Sequence, residues 1–128
     1  MFISVDQSTS STTVFLYNKK LQLLDRVTKS HKQIQKKLGF VEHDANEIYN
    51  NLKLLVKKIS KKIKNNKNLF LSITNQRETF VIFDTISGKP LHNAIVWQCR
   101  RGQKICEKIN KTKKNINLIK SKTGLTLD

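Results

Sequence analysis

The chain opens Met1-Phe-Ile-Ser-Val-Asp-Gln-Ser-Thr-Ser-Ser-Thr-Thr-Val-Phe-Leu-Tyr17, two apolar runs joined by six consecutive hydroxyl residues. Residues 2–6 read as a buried strand, and Val14-Phe-Leu-Tyr17 as its hairpin partner. Leu21 to Val27 reads as a third strand, because its apolar positions roughly alternate. Residues 28–43 carry polar loop signals, with Gly39 as the turn. A helix follows: Asp44 can cap it, and Glu47 three residues later completes a capping-box pattern. Ile48, Leu52, Leu55, Val56, Ile59 and Ile63 recur at helical spacing and make one apolar stripe. Lys53, Lys57, Lys58, Lys61, Lys62 and Lys64 crowd the other face, which reads as solvated. Two strands are expected at 69–74 and 79–84, then a turn at Ser87-Gly-Lys-Pro90 and a short strand through Ala94–Trp97. Helices are expected near 100–111 and 114–121.

Between the two later strands lies Asn75-Gln-Arg-Glu-Thr79. An adjacent Arg77–Glu78 pair at the rim of a sheet can hold a small polyol, because the guanidinium donates hydrogen bonds and the carboxylate accepts them. A surface turn with two solvated charges is the plainer reading of the same residues. The hydroxyl run Ser8–Thr13 offers many short donors in a tight connection directly after Asp6, a suitable cradle for phosphate oxygens. It is not a Walker loop, since no GxxxxGK[ST] occurs in the chain.

At 128 residues the chain is read as one domain, able to bury roughly two-thirds of its unfolded surface. No run of 18 apolar residues occurs, and Met1-Phe-Ile-Ser-Val5 has no basic stretch before it, so neither a membrane span nor a leader is expected. Cys99 and Cys106 lack zinc-knuckle or redox-pair spacing and fit a reducing cytoplasm. His31, His43 and His92 are scattered, and no metal site is built from them. The net charge is +16, with Lys supplying 21 of the 25 basic residues. Asn (12) and Ile (13) are also abundant, and all three types share A/T-rich codons, which makes drift in composition the preferred explanation. A reader of nucleic acid would want Arg forks or exposed aromatics, and neither is clustered. Three of the four Arg residues, Arg77, Arg100 and Arg101, fall instead in two short segments. Arg100 and Arg101 read as caps or ion-pair partners of local structure.

Asp6-Gln-Ser-Thr-Ser-Ser-Thr12, Ile73-Thr-Asn-Gln-Arg-Glu-Thr79 and Asn93-Ala-Ile-Val-Trp-Gln-Cys-Arg-Arg101, in that order, resemble the glycerol kinases of the sugar-kinase family. Gly39-Phe-Val-Glu-His-Asp44 and Thr123-Gly-Leu125 match as well, so the resemblance runs from residue 2 to residue 128. It implies an α/β fold: a ribonuclease-H-like N-terminal domain of the actin and sugar-kinase type. Its mixed sheet has antiparallel first three strands and flanking helices. It implies ATP and Mg²⁺ as cofactors, and transfer of the γ-phosphoryl of ATP to glycerol to give glycerol 3-phosphate. Thr9, Ser10 and Ser11 would contact the nucleotide phosphates, and Asp6 would help position the Mg²⁺ carried by ATP. Thr13 stands where the family places an Arg, so the charge that would stabilise the transferring phosphoryl group is missing. Ser8 stands where many relatives have Gly. Arg77 and Glu78 would bind glycerol, with Trp97 as an apolar wall; a core tryptophan is the alternative for Trp97.

In the family the general-base Asp, the adenine pocket and a second phosphate-binding hairpin lie beyond position 128. The expectation is therefore an incomplete N-terminal domain, 1–128, whose C-terminal domain is absent and which carries no catalytic base of its own. Asp25, Asp44 and Asp84 read as turn or cap residues. Three readings follow: the N-terminal portion of a cytoplasmic glycerol kinase, a remnant that phosphorylates nothing, or a basic module that binds nucleic acid.

Overall fold

The computed structural model describes residues 1–64 and 68–127. β1 (Phe2–Gln7), β2 (Ser11–Tyr17) and β3 (Leu23–Ser30) form an antiparallel meander, and β6 (Phe70–Thr74) adds to β1 in parallel. The sheet order is thus β3-β2-β1-β6, a mixed sheet. α1 (Ala45–Ser60) packs across β2 and β3. Alternation explains which face it covers: Ile3 and Val5 of β1 and Val14 and Leu16 of β2 point to one side. Leu55 and Ile59 of α1 complete that buried cluster, with Leu52, Val56 and Ile63 packed around it. The apolar stripe read from helical spacing is therefore the core face of α1. β4 (Gln33–Ile34), β5 (Glu42–His43) and β7 (Ala94–Ile95) form a second, small sheet. α2 (Gln103–Ile109) follows a 3-10 turn at Arg100–Gly102, and α3 (Lys113–Thr123) ends on Gly124 at φ +73°.

Several sequence expectations need correction. Leu21 does not start β3; it sits at φ +58° in the turn that Asn18 ties together, and Leu23 and Leu24 stay exposed on an edge strand. The polar stretch 28–43 contains the end of β3, β4 and β5, with Gly39 at φ +76° as the turn. Residues 79–84 are not a strand. Phe80 bridges Ile95 and Phe83 bridges Pro90, singly, and Phe80, Ile82 and Phe83 remain exposed. A short apolar run looks the same whether or not a sheet edge is available to it, and here only isolated pairings are made. The strand foreseen at Ala94–Trp97 stops at Ile95, and the helix foreseen at 100–111 starts as a 3-10 turn. Asp25 is in β3, opposite Leu16, with Lys62 Nζ at 2.6 Å, and is neither turn nor cap.

Asp44 caps α1 as expected, its carboxylate accepting from the Asn46 N–H at 2.8 Å. The capping box does not close, because Glu47 Oε2 accepts from the Lys32 N–H at 3.2 Å and so serves the β3–β4 connection. Asp44→Ala is expected to lower the unfolding free energy by about 1 kcal/mol, seen as a shifted denaturant midpoint with an unchanged slope.

Candidate functional site

Three chain segments meet at the C-terminal ends of the parallel neighbours β1 and β6. β1 delivers Asp6 and, in the connection that follows, Ser8 and Thr9; β6 delivers Asn75-Gln-Arg-Glu78, and the stretch after β7 delivers Trp97. Together with Leu125 they line an open cleft of about 520 Å³. Ligands commonly sit beyond the carboxyl ends of strands in open α/β sheets, where side chains diverge and loop backbone is available.

The connection after β1 is shorter than the hydroxyl run suggested. Ser11, Thr12 and Thr13 belong to β2, leaving a turn closed by the Ser8 N–H donating to the Ser11 carbonyl at 2.9 Å. Ser8 Oγ donates to Asp6 Oδ1 at 2.8 Å, holding that carboxylate at the cleft. Thr9 Oγ1 accepts from the Trp97 indole N–H at 3.0 Å, and Ser10 is exposed. Thr12 points the other way and is fully buried. Thr13 lies directly opposite Asp6 in the β1–β2 register, and its hydroxyl shares a 3.0 Å hydrogen bond with Thr28. It does not line the cleft, although Asp6 beside it does.

Arg77 and Glu78 are both exposed in the cleft, and among the described residues neither side chain makes a hydrogen bond or ion pair. Glu78 sits at φ +62°. A side chain with a Cβ is disfavoured there by roughly 1–2 kcal/mol, and such residues gather at binding sites. Gln76 points inward, its Oε1 accepting from the Thr79 hydroxyl at 3.2 Å. Trp97 is 52% exposed, so the reading of it as a core residue is wrong. Its indole N–H faces Thr9, and its ring flanks the cleft beside Glu78.

One buried ion pair holds this geometry from behind. Glu42, 4% exposed, accepts from Arg101 Nη2 at 2.6 Å and from Asn93 Nδ2 at 2.9 Å. The Arg101 bond, then the Asn93 bond, hold its carboxyl below the ordinary value of 4.5. Arg101 Nε also donates to Cys99 Sγ at 2.9 Å. Arg101 is thus an ion-pair partner, as its sequence context suggested, and it ties β5 to the turn that follows Trp97. Arg100 is exposed, and its backbone N–H donates to the Gly39 carbonyl at 2.7 Å.

The structure brings together Asp6, Thr9, Arg77, Glu78 and Trp97, which the sequence keeps up to about ninety residues apart. Gln7, Asn75, Gln76 and Leu125 also line the cleft and were not singled out; each sits inside or beside a motif, the only signal available. His31 and His43, scattered in sequence, lie ring to ring. Among the described residues, no group of three or more His, Cys, Asp or Glu could hold a metal ion. Asp6, one of two carboxylates at the cleft with Glu78, still fits Mg²⁺ that arrives with phosphate and water oxygens. Among the described residues no helix is long and apolar enough to cross a membrane.

Comparison with known proteins follows the same lines. The model for the N-terminal domain of the FGGY family of carbohydrate kinases matches residues 1–128. Glycerol kinase 1 of Thermotoga maritima is 44% identical over 128 residues, covering 98% of this chain and 26% of that protein. The glycerol kinase of Bdellovibrio bacteriovorus is 44% identical over 130 residues, with the same coverage. The crystal structure of Plasmodium falciparum glycerol kinase with ADP superposes with a TM-score of 0.88 at 40% identity, over 99% of this chain and 26% of that one. The gluconate kinase of Lactobacillus acidophilus shares the fold, with a TM-score of 0.86 at 23% identity over 97% of this chain and 25% of that one. The chain spans about a quarter of the length of the curated relatives it matches.

Proposed function

This chain belongs to the FGGY family of carbohydrate kinases, and on that footing we propose that it is the glycerol- and phosphate-holding part of an ATP-dependent glycerol kinase. One observation carries the reading: the Arg77 guanidinium and Glu78 carboxylate, which make no side-chain bond among the described residues, share a cleft with Asp6, Ser8 and Thr9. Glycerol has three hydroxyls and no charge, so it is recognised by paired donors and acceptors. Arg77 donates to its hydroxyl oxygens, Glu78 accepts from its hydroxyl protons, and the face of Trp97 covers its carbon chain.

Across the cleft, Ser10 and the turn backbone meet the phosphates of ATP, and the free oxygen of Asp6 meets the Mg²⁺ that travels with them. Thr9, its hydroxyl turned to Trp97, contributes its backbone, and Ser11 stands at the start of β2 beside it. Thr13, opposite Asp6, is the place where a cation would face the transferring phosphoryl group, and a hydroxyl there leaves that charge to other residues.

The proton lost by the attacking hydroxyl needs an acceptor, and the described Asp residues beyond Asp6 are committed elsewhere. Asp25 pairs with Lys62, Asp44 caps α1, and Asp84 Oδ1 accepts from the Ser87 N–H and hydroxyl, each at 2.7 Å. The resemblance to glycerol kinases implies that the general base is an Asp supplied from outside these residues. The test is ATP turnover by the full-length protein with and without glycerol. Formation of glycerol 3-phosphate that depends on both substrates and on Mg²⁺ is expected. ATP hydrolysis indifferent to glycerol, or transfer to another polyol alone, would overturn the assignment.

A further inference from the structure

Thr9 and Trp97 face each other across the cleft, and each is pinned through its backbone. His31, directly after β3, donates its N–H to the Ser10 carbonyl at 3.2 Å, and its Nε2 bonds the Thr9 carbonyl at 2.9 Å. A carbonyl can only accept, so the imidazole is the donor. On the other wall, Val96 is 1% exposed and donates its N–H to the Val41 carbonyl at 3.1 Å. The Trp97 N–H donates to Thr79 Oγ1 at 3.3 Å. Ile95 and Phe80 exchange both backbone hydrogen bonds, at 2.9 and 3.1 Å, which ties this stretch to the segment that carries Arg77 and Glu78.

The ring of Trp97 lacks that support. Half of the residue faces solvent, so packing alone leaves it other staggered rotamers. The indole has one polar atom, Nε1, and its proton is donated to Thr9 Oγ1 at 3.0 Å, between residues 88 positions apart. We propose that Thr9 is a positioning residue for the polyol: from within the turn that meets phosphate, its hydroxyl fixes the indole that covers the glycerol carbons. The bond itself is a property of the fold, whereas its effect on glycerol rests on the function proposed above.

Thr9 serves the nucleotide side through its backbone, yet loss of its hydroxyl reads out on glycerol. A ring free to change rotamer has to be ordered each time the polyol binds, and that ordering lowers affinity. The bond also sets how far the polyol lies from the phosphate turn, the separation on which in-line transfer depends. Valine keeps the β-branched shape of Thr9 and removes the acceptor, and serine keeps the acceptor without the methyl group. The two substitutions together isolate the hydroxyl.

The bond is tested on the full-length protein with ¹⁵N-labelled tryptophan, the Trp97 indole signal being the one that Trp97→Phe removes. Thr9→Val is expected to move that N–H signal to higher field and to speed its exchange with solvent, and Thr9→Ser to leave it near the parent position. A signal unmoved in Thr9→Val overturns the bond whatever the enzyme does. The positioning role is read from steady-state kinetics. Thr9→Val is expected to raise the glycerol KM by about three- to tenfold, as for one lost hydrogen bond, with the ATP KM moved less. Thr9→Ala, which also lacks the acceptor, is expected to match it, and Thr9→Ser to stay near the parent value. In a Trp97→Phe background, where no indole N–H remains, adding Thr9→Val is expected to change the glycerol KM by less than about twofold. An ATP KM that rises while the glycerol KM stays put overturns the role. So does an equal effect of Thr9→Val on glycerol with and without the indole N–H. A parent protein that turns over no glycerol counts against the proposed function and the positioning role together, and the indole signal then still decides the bond.

Discussion

Arg77→Ala is expected to abolish measurable glycerol binding, a loss of about a hundredfold or more in affinity. Glycerol offers no charge and little apolar surface, so nearly all its recognition must come from hydrogen bonds to ionised groups. In the proposed site Arg77 supplies the donors, and without it Glu78 would satisfy only the hydroxyl protons while the oxygens stay unpaired. Arg77→Lys is expected to recover part of the affinity, because an ammonium restores the charge without the planar fork. Calorimetric titration of the full-length protein with glycerol measures both. Arg100→Ala serves as the control. Its exposed side chain lines the adjoining cavity that shares Glu78 and Trp97 and not this cleft, and its structural hydrogen bond is made by backbone, so affinity should move far less than in Arg77→Ala. An Arg77→Ala protein that binds glycerol as before would remove the central support of the site assignment.

Arg101→Ala is expected to be the most destabilising of the substitutions considered, by about 2–4 kcal/mol, because it leaves the Glu42 carboxylate buried without its cation. The figure sits toward the low side of that for a wholly buried pair, since the Arg101 side chain is 25% exposed. His92 Nε2, 3.9 Å from Glu42 Oε1, lies too far off to make a hydrogen bond and is a poor substitute. The pH dependence has a definite sign. The folded-state pKa of Glu42 lies below 4.5, so its stabilisation is present above that pH and is lost as pH falls through the lowered value. Arg101→Ala should flatten the acid limb of the stability profile as well as lower its plateau. Denaturant titrations from neutral pH down to well below 4.5 measure both effects. A plateau unchanged within about 0.5 kcal/mol would show the pair to be energetically idle.

Much of the framework was legible from local pattern. β1 and β2 follow from alternation of β-branched and apolar residues, and α1 follows from one stripe of six positions capped by Asp44. The site motifs were legible because their residue types are unusual for this composition. Where Lys is so dominant, an Arg next to a Glu invites a geometric explanation, and Arg77–Glu78 does line the cleft. The failures are also instructive. Phe80–Phe83 carries a strand composition yet finds only single bridges, and Leu21 carries an apolar side chain into a turn. Glu47 matches a capping box in sequence but spends its carboxylate on Lys32. In each case the local pattern was consistent with two outcomes, and a partner distant in sequence selected one.

Residue order alone determined the chemistry available to this protein: a carboxylate after the first strand, hydroxyls in the turn, and an Arg–Glu pair after a later strand. Periodicity alone determined the first hairpin and the helix that covers it, since both repeats are short-range properties of the chain. Only the tertiary structure decided that Trp97 faces the cleft and not the core, that Thr13 lies against Thr28 opposite Asp6, and that His31 and His43 meet edge to face between Thr9 and Gln76. The reason is physical. Parallel pairing of β1 with β6 joins residues about seventy positions apart, and no local periodicity encodes which side chains such a pairing will set face to face.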